Sequence, residues 1–362
     1  GIRIYGFTFT SGNASGSSSQ NNAGGCGLFC DGEDEGNRCS PTLANVIFAD
    51  NRAEVGGAVY NYGNGGASSP TIVNSIFSSN TTENGFSGNG GAIFNDGSGG
   101  GNSSPVIKNT SFNDNSAAGD GGAIYNDAFN GISSPEILNS TFEGNTADPE
   151  GVNGDGGAVC SDSGNGMLTS PLIARSTFTD NTASRTGGAI FVDGESKIVN
   201  STFIANTADN GGGAIYSSVQ SEELEVLNAV FVGNDASIDG DEGRGGAIVI
   251  EENNNSKIVN AVFSGNTASM SGGALYIEET SPKIVSASFS ENEAYESGGA
   301  IYNSEDFEGG SSPTIVNSIF YGNSGAGNGD QIFNEGENSE PTVSYSLVEG
   351  GCSSIPGTIC GD

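Results

Sequence analysis

Ser69-Pro70-Thr71-Ile72-Val73-Asn74-Ser75-Ile76-Phe77-Ser78-Ser79-Asn80 is one copy of a pattern that returns along the whole chain. Its closing motif, Phe-x-x-Asn, recurs as Phe48/Asn51, Phe77/Asn80, Phe112/Asn115, Phe142/Asn145 and Phe178/Asn181. It continues as Phe203/Asn206, Phe231/Asn234, Phe263/Asn266, Phe289/Asn292 and Phe320/Asn323. Five positions ahead of each Phe stands an aliphatic residue: Leu43, Ile72, Ile107, Ile137, Ile173, Ile198, Val226, Ile258, Ile284 and Ile315. Between these copies Gly-Gly-Ala leads into Val59, Ile93, Ile124, Val159, Ile190, Ile215, Ile248, Leu275 and Ile301, with degenerate copies at Leu28 and Ile332. Successive Phe residues lie 25 to 36 positions apart. Fixed motifs joined by spacers of varying length are the mark of a repeat architecture.

The turn signals stand only three or four residues apart, which suits short strands and excludes helices. Phe and the small residue two before it share one strand face, whereas the aliphatic at minus five has the opposite parity. The break falls at minus three, where Asn45, Asn74, Asn109, Asn139, Asn200, Asn228, Asn260 and Asn317 stand. Asn tolerates the left-handed conformation of a sharp bend, and stacked Asn amides can hydrogen-bond along the axis as a ladder. Each repeat therefore reads as three short strands: one at Gly-Gly-Ala-aliphatic, one after Ser-Pro and one ending in Phe. Stacked in parallel at about 4.8 Å, about eleven such coils predict an all-β solenoid roughly 50 Å long. Its core is the column of Phe48, Phe77, Phe112, Phe142, Phe178, Phe203, Phe231, Phe263, Phe289 and Phe320. A single domain over 1–362 is expected, with opening coils and a Cys-bearing loop in 1–40, regular coils in 41–334, and a final coil with a second Cys-bearing loop in 335–362.

Composition narrows the function. The 362 residues include 60 Gly, 10 basic and 44 acidic side chains, for a formal charge of −34, and neither His nor Trp. Low hydrophobicity with that charge would ordinarily mean disorder, but disordered chains do not keep this register. Without His there is no imidazole-based triad and no His-ligated zinc. The charge argues against a nucleic-acid or anionic-membrane partner, and no apolar run approaches the roughly 18–20 residues that span a bilayer.

Cys30 and Cys39 flank one loop, and Cys352 and Cys360 another, so a disulfide at each would staple end coils that lack a neighbour. Such bonds imply an oxidising, extracellular or cell-surface location. Cys26 and Cys160 are left over. Among the acidic loops, Asp31 and Glu33, and Asp239, Asp241 and Glu242, are the candidates for calcium; none matches an EF-hand, and solvated loops are the preferred reading. No other cofactor is expected. The residue after Gly-Gly-Ala-aliphatic is aromatic at Tyr60, Phe94, Tyr125, Phe191, Tyr216, Tyr276, Tyr302 and Phe333, interrupted by Cys160 and Val249. Alternation sends the aliphatic inward and these rings outward, which predicts an exposed aromatic ladder fit for an interface; the opposite parity stays open.

The alternating Gly-Gly-Ala-Ile and Phe-x-x-Asn motifs resemble those of chlamydial polymorphic outer membrane proteins and other secreted bacterial repeat proteins, and Ile4-Tyr5-Gly6-Phe7-Thr8-Phe9 resembles the first strand of such a fold. The resemblance implies a right-handed, single-stranded parallel β-helix of the autotransporter-passenger kind. The start at Gly1, without Met or signal sequence, points to a processed or partial chain. The preferred function is an extracellular structural protein, a rigid stalk or filament subunit assembling end to end or through the aromatic ladder. An adhesin that binds host or glycan ligands is the alternative. A polysaccharide lyase or glycoside hydrolase is disfavoured, because the ten basic residues form no cluster and no carboxylates recur face to face across coils. No catalytic residue is assigned.

Overall fold

The computed structural model describes the chain except residues 15–23, 84–87, 152, 165–168, 219–222, 238–241, 253–255, 307–308, 328, 330, 337, 352–358 and 362. It forms two compact units, Gly1–Ser196 and Lys197–Asp362. Each is a right-handed parallel β-helix without α-helices among its described residues. A coil carries the three expected strands and a fourth, two residues long, after the Phe-x-x-Asn corner. In one coil these are Glu136–Leu138, Thr141–Glu143, Thr146–Ala147 and Val159–Asp162. The fourth strand was hidden in the sequence because two residues carry no periodicity.

Like stacks on like. In Gly1–Ser196 the parallel registers align Ile107 with Ile137 and Ile173, Phe112 with Phe142 and Phe178, Ala117 with Ala147 and Ala183, and Ile124 with Val159 and Ile190. In Lys197–Asp362, Phe203, Phe231, Phe263, Phe289 and Phe320 align in the same way. The ten motif Phe side chains are at most 1% exposed. Neighbouring rings lie nearly parallel, with centroids 4.7 Å apart for Phe112–Phe142 and 4.8 Å for Phe203–Phe231, within the range of stacked aromatic pairs. Here the strand spacing of about 4.8 Å dictates the ring spacing.

Left-handed backbone makes the corners. The bend Asn residues have φ near +50°, from 49° at Asn139 to 55° at Asn228, and Arg175 and Ser286 take the same conformation where Asn is missing. Their exposed amides form the expected ladder, with Asn109 Nδ2 donating to Asn74 Oδ1 at 3.1 Å and Asn228 Nδ2 to Asn200 Oδ1 at 3.0 Å. A second corner falls two residues after Phe, at Asp114 (φ 52°) and its equivalents. The first Gly of Gly-Gly makes a third: Gly121 has φ +65°, and a Cβ there would lie 2.3 Å from the Ile124 carbonyl oxygen. The second Gly serves close approach instead, since a Cβ on Gly122 would lie 2.0 Å from the Gly157 carbonyl oxygen of the next coil.

A buried ladder closes the second corner. The Asn of Phe-x-x-Asn lies inside: Asn80, Asn115, Asn145, Asn181, Asn206, Asn234, Asn266 and Asn292 are fully buried. Asn145 Oδ1 accepts from Asn115 N at 3.1 Å and from Asn115 Nδ2 at 2.9 Å. Asn145 Nδ2 donates to Asn181 Oδ1 at 2.8 Å and to the Phe112 carbonyl at 3.0 Å. The amide is saturated, so its burial leaves nothing unpaired.

Asn145→Ala therefore strands donors and an acceptor inside the protein and costs about 1–3 kcal/mol. Asn139→Gly, at the exposed bend, stays within about 0.5 kcal/mol, because Gly accepts the left-handed turn. Urea melts compare the two; equal losses would mean that the inner ladder contributes no more than the outer one.

Candidate functional site

The outward face of the Gly-Gly-Ala sheet collects the chemistry. Within Gly1–Ser196, strand Ile93–Asp96 points Ile93 and Asn95 inward, and Asn61, Asn95 and Asn126 continue there as a third amide ladder at 2.7 and 2.8 Å. Phe94 and Asp96 alternate to the other side. The expected parity is therefore correct, but the expected exposure is not. Tyr60, Phe94 and Tyr125 are 7%, 8% and 6% exposed, and Tyr276 in the second unit 4%. Phe191, Tyr216, Tyr302 and Phe333 are half-buried.

The rings cover one another and are covered by the turns ahead of Gly-Gly. Phe94 stacks on Tyr125 at 5.1 Å, and Tyr276 on Tyr302 at 5.2 Å. Val55, in the turn ahead of Gly56, packs on the Tyr60 cluster, and a Cβ on Gly24 would lie 2.4 Å from Tyr60 Cδ1. An aromatic column lies outside the Phe core, with Tyr60, Phe94, Tyr125 and Tyr276 buried and the other rings half-buried, so it is not the open interface expected. Sequence parity cannot reveal a lid formed by spacers of irregular length.

The tyrosine hydroxyls find acidic partners on the next coil. Tyr60 donates to Asp96 at 2.9 Å and Tyr125 to Asp162 at 3.0 Å. Burial raises the hydroxyls of Tyr60 and Tyr125 well above the ordinary range. Burial also pushes Asp120 up to about 7 and Asp127 up to about 6. Beside them Arg185 bonds to Asp155, which also accepts from Thr186 Oγ1 at 2.6 Å. Within Lys197–Asp362, Tyr216 donates to Glu251, and Arg244 lies 5.1 Å from the Tyr276 ring centroid and 3.7 Å from Glu278. Burial, with Glu278 adding repulsion, pushes Glu251 up to about 7.

Cys30 and Cys39 form the expected disulfide. Cys26 is a half-buried thiol and Cys160 a fully buried one; desolvation raises both. The Cys352–Cys360 pairing lies outside the described residues, as do Asp239 and Asp241. Glu242, Asp31 and Glu33 are exposed. Asp31 Oδ1 accepts from Glu33 N at 3.0 Å, and Glu33 from the Tyr62 hydroxyl at 3.2 Å. Among the described residues no three acidic or cysteine side chains converge with metal-binding geometry.

One groove, of about 680 Å³, opens on Gly1–Ser196. Its floor is the register-paired row Arg52, Thr81 and Ser116 on successive two-residue strands. Glu83, ion-paired with Arg52, stands at its edge, and the turn carrying Asp148, Glu150 and Asn153 forms the wall. Hydroxyls, carboxylates and amides there suit a polyhydroxylated ligand more than an apolar one. The groove was not legible in the sequence, because it joins residues about 100 positions apart.

Residues 109–127, 139–162, 175–193, 200–218, 260–278 and 286–304 match the Chlamydia polymorphic membrane protein repeat. Each match runs from the left-handed bend through the Phe strand and the inner Asn into the Gly-Gly-Ala strand. No curated protein and no solved structure matches the chain.

Replacing Cys30 and Cys39 together by Ser removes a loop closed across a sequence separation of 9. Chain entropy puts the loss at about 2–3 kcal/mol. Thermal melts with and without reductant check this; identical midpoints would show that the crosslink is idle.

Proposed function

We propose that this chain is a surface-displayed, non-catalytic β-helix of the polymorphic membrane protein kind, acting as a rigid spacer that joins further coils at its ends. The observation that carries the reading is the match of six segments to that repeat, each coinciding with a stacked turn of the solenoid. The repeat supports a surface-exposed passenger. The disulfide Cys30–Cys39 agrees with an oxidising location.

The end-joining part rests on strand edges. Among the described residues, Thr8–Thr10 pairs only with Ile47–Ala49, and Leu347–Val348 only with Ile319–Tyr321. Tyr5 and Phe7 beside the first edge, and Tyr321 and Leu347 beside the second, are exposed. An unpaired parallel edge is a template for another strand, and contact between unlike edges does not close on itself. The rings of Tyr60, Phe94, Tyr125 and Tyr276 are covered by the protein itself, so the assembly proposed here does not use them. The charge of −34 opposes side-by-side packing at low salt and is screened within about 8–10 Å at 0.10–0.15 M salt. Negative-stain electron microscopy and sedimentation across salt and concentration are expected to show end-to-end chains lengthening with concentration. Single particles throughout would remove end joining.

The groove favours a second reading, an adhesin for carbohydrate. Thr81, Ser116, Glu150 and Asn153 supply the donors and acceptors that hydroxyl-rich ligands need. A glycan array probed with the wild type and with Glu150→Gln plus Asn153→Ala tests it. Signal that the double variant loses supports the reading, whereas a blank array or equal signal from both proteins rejects it.

A further inference from the structure

Contrary to the expectation from sequence that no carboxylates would face one another across coils, carboxylates stand in register outward from the Gly-Gly-Ala sheet of Gly1–Ser196: Asp96 pairs with Asp127, and Asp127 with Asp162. Neighbouring strands lie about 4.8 Å apart, well inside the roughly 8–10 Å over which salt screens charge. Full ionisation of this row would place like charges side by side on a half-buried layer. We propose that the row, with the tyrosines that hydrogen-bond it, is a proton-operated brace that tightens these coils as the surroundings acidify.

Asp127 is the centre of the row. On one side it faces Asp96, which holds the Tyr60 hydroxyl, and beyond it Tyr62, which donates to Glu33. On the other side it faces Asp162, which holds the Tyr125 hydroxyl, and then Asp193, which accepts from Ser163 Oγ at 2.6 Å. Cys160 lies in the aromatic layer beside Tyr125, and Asp120 and Asp155 stand on the turns ahead of Gly-Gly. Arg185, a cation of this neighbourhood, bonds to Asp155. Asp127 keeps one backbone donor, Phe129 N at 2.8 Å.

The direction follows from linkage. Burial, then repulsion from Asp96 and Asp162, pushes Asp127 up to about 6 in the folded chain, and burial pushes Asp120 up to about 7. An unfolded Asp titrates near 4. Between those values the folded chain binds protons that the unfolded chain does not. Stability therefore rises as pH falls from about 7 toward 4 and is lost as pH rises again. In the second unit Glu251 and Glu278 are likewise register-paired, with the Tyr216 hydroxyl on Glu251, but there Arg244, 3.7 Å from Glu278, supplies a counter-charge.

Thermal melts of the full chain from pH 8 to 5 test the proposal on the wild type, Asp127→Asn and Asp180→Asn. Asp180 is exposed and controls for the loss of one charge anywhere. The wild-type midpoint is expected to rise on acidification. Asp127→Asn is expected to melt roughly 2–4 °C above the wild type at pH 7.5 and to have lost about half of that lead at pH 5, midway between the folded and unfolded values. Amide exchange at pH 7.5 is expected to slow in Ile93–Asp96, Ile124–Asp127 and Val159–Asp162 of that variant, while Asp180→Asn follows the wild type. A wild-type midpoint that falls from pH 7.5 to 5.5, or equal shifts in both variants, overturns the brace. Should Asp127→Asn fail to fold, carboxyl NMR of the wild type decides. An Asp127 midpoint near 6 supports the proposal, and one near 4 ends it.

Discussion

The strands of a parallel coil find their ladder partners on the neighbouring coils, and the rest of the architecture answers to that constraint. Each short strand, mostly of two to four residues, must pair with the equivalent strand of the coil on either side, at one spacing and one register. A slip of one residue would turn Phe142 to water and Thr141 or Glu143 to the core. The register is held by columns that tolerate no slip: Phe on Phe, Ala on Ala, and the buried Asn amides, whose hydrogen bonds reach both the next amide and the preceding Phe carbonyl. Because a coil satisfies itself only through its neighbours, stability belongs to the stack and not to any one turn.

The same stacking creates the electrostatic problem of the outer layer. Repeating a motif repeats its charges, and register brings them into rows: Asp96, Asp127 and Asp162 in one unit, Glu251 and Glu278 in the other. The lysines follow the same logic with the opposite result. Lys197 pairs with Glu225, and Lys257 with Glu223 and Glu225, along the strands Ser196–Val199, Leu224–Leu227 and Lys257–Val259. Where signs alternate, the row is an exposed ion-pair ladder worth little each. Where the sign is constant and the layer is covered, as at Asp127, burial and repulsion from its neighbours raise the carboxyl instead.

Much of the fold was legible in the sequence, because a repeat displays each structural requirement about ten times. The Phe column, the inward aliphatics after Gly-Gly-Ala, the left-handed bend at Asn45 and its equivalents with their amide ladder, and the Cys30–Cys39 staple could all be read from residue type and position. These are local demands: a φ that Asn tolerates, a parity, a loop that two cysteines flank. The buried role of the Asn in Phe-x-x-Asn was visible as a motif but not as a ladder, because its partner lies one coil away.

Tertiary structure alone decided what happens outside the core. Alternation turned Tyr60, Phe94 and Tyr125 away from Ile93 and its equivalents, but their burial depends on turns of unequal length folding over the rings. The groove between Arg52, Thr81, Ser116 and the Asp148–Asn153 turn, and the row through Asp127, join residues about 30 to 100 positions apart. Residue type sets which way a side chain points from its strand. Which neighbours it then meets depends on how irregular spacers pack across successive coils, and no single repeat carries that information.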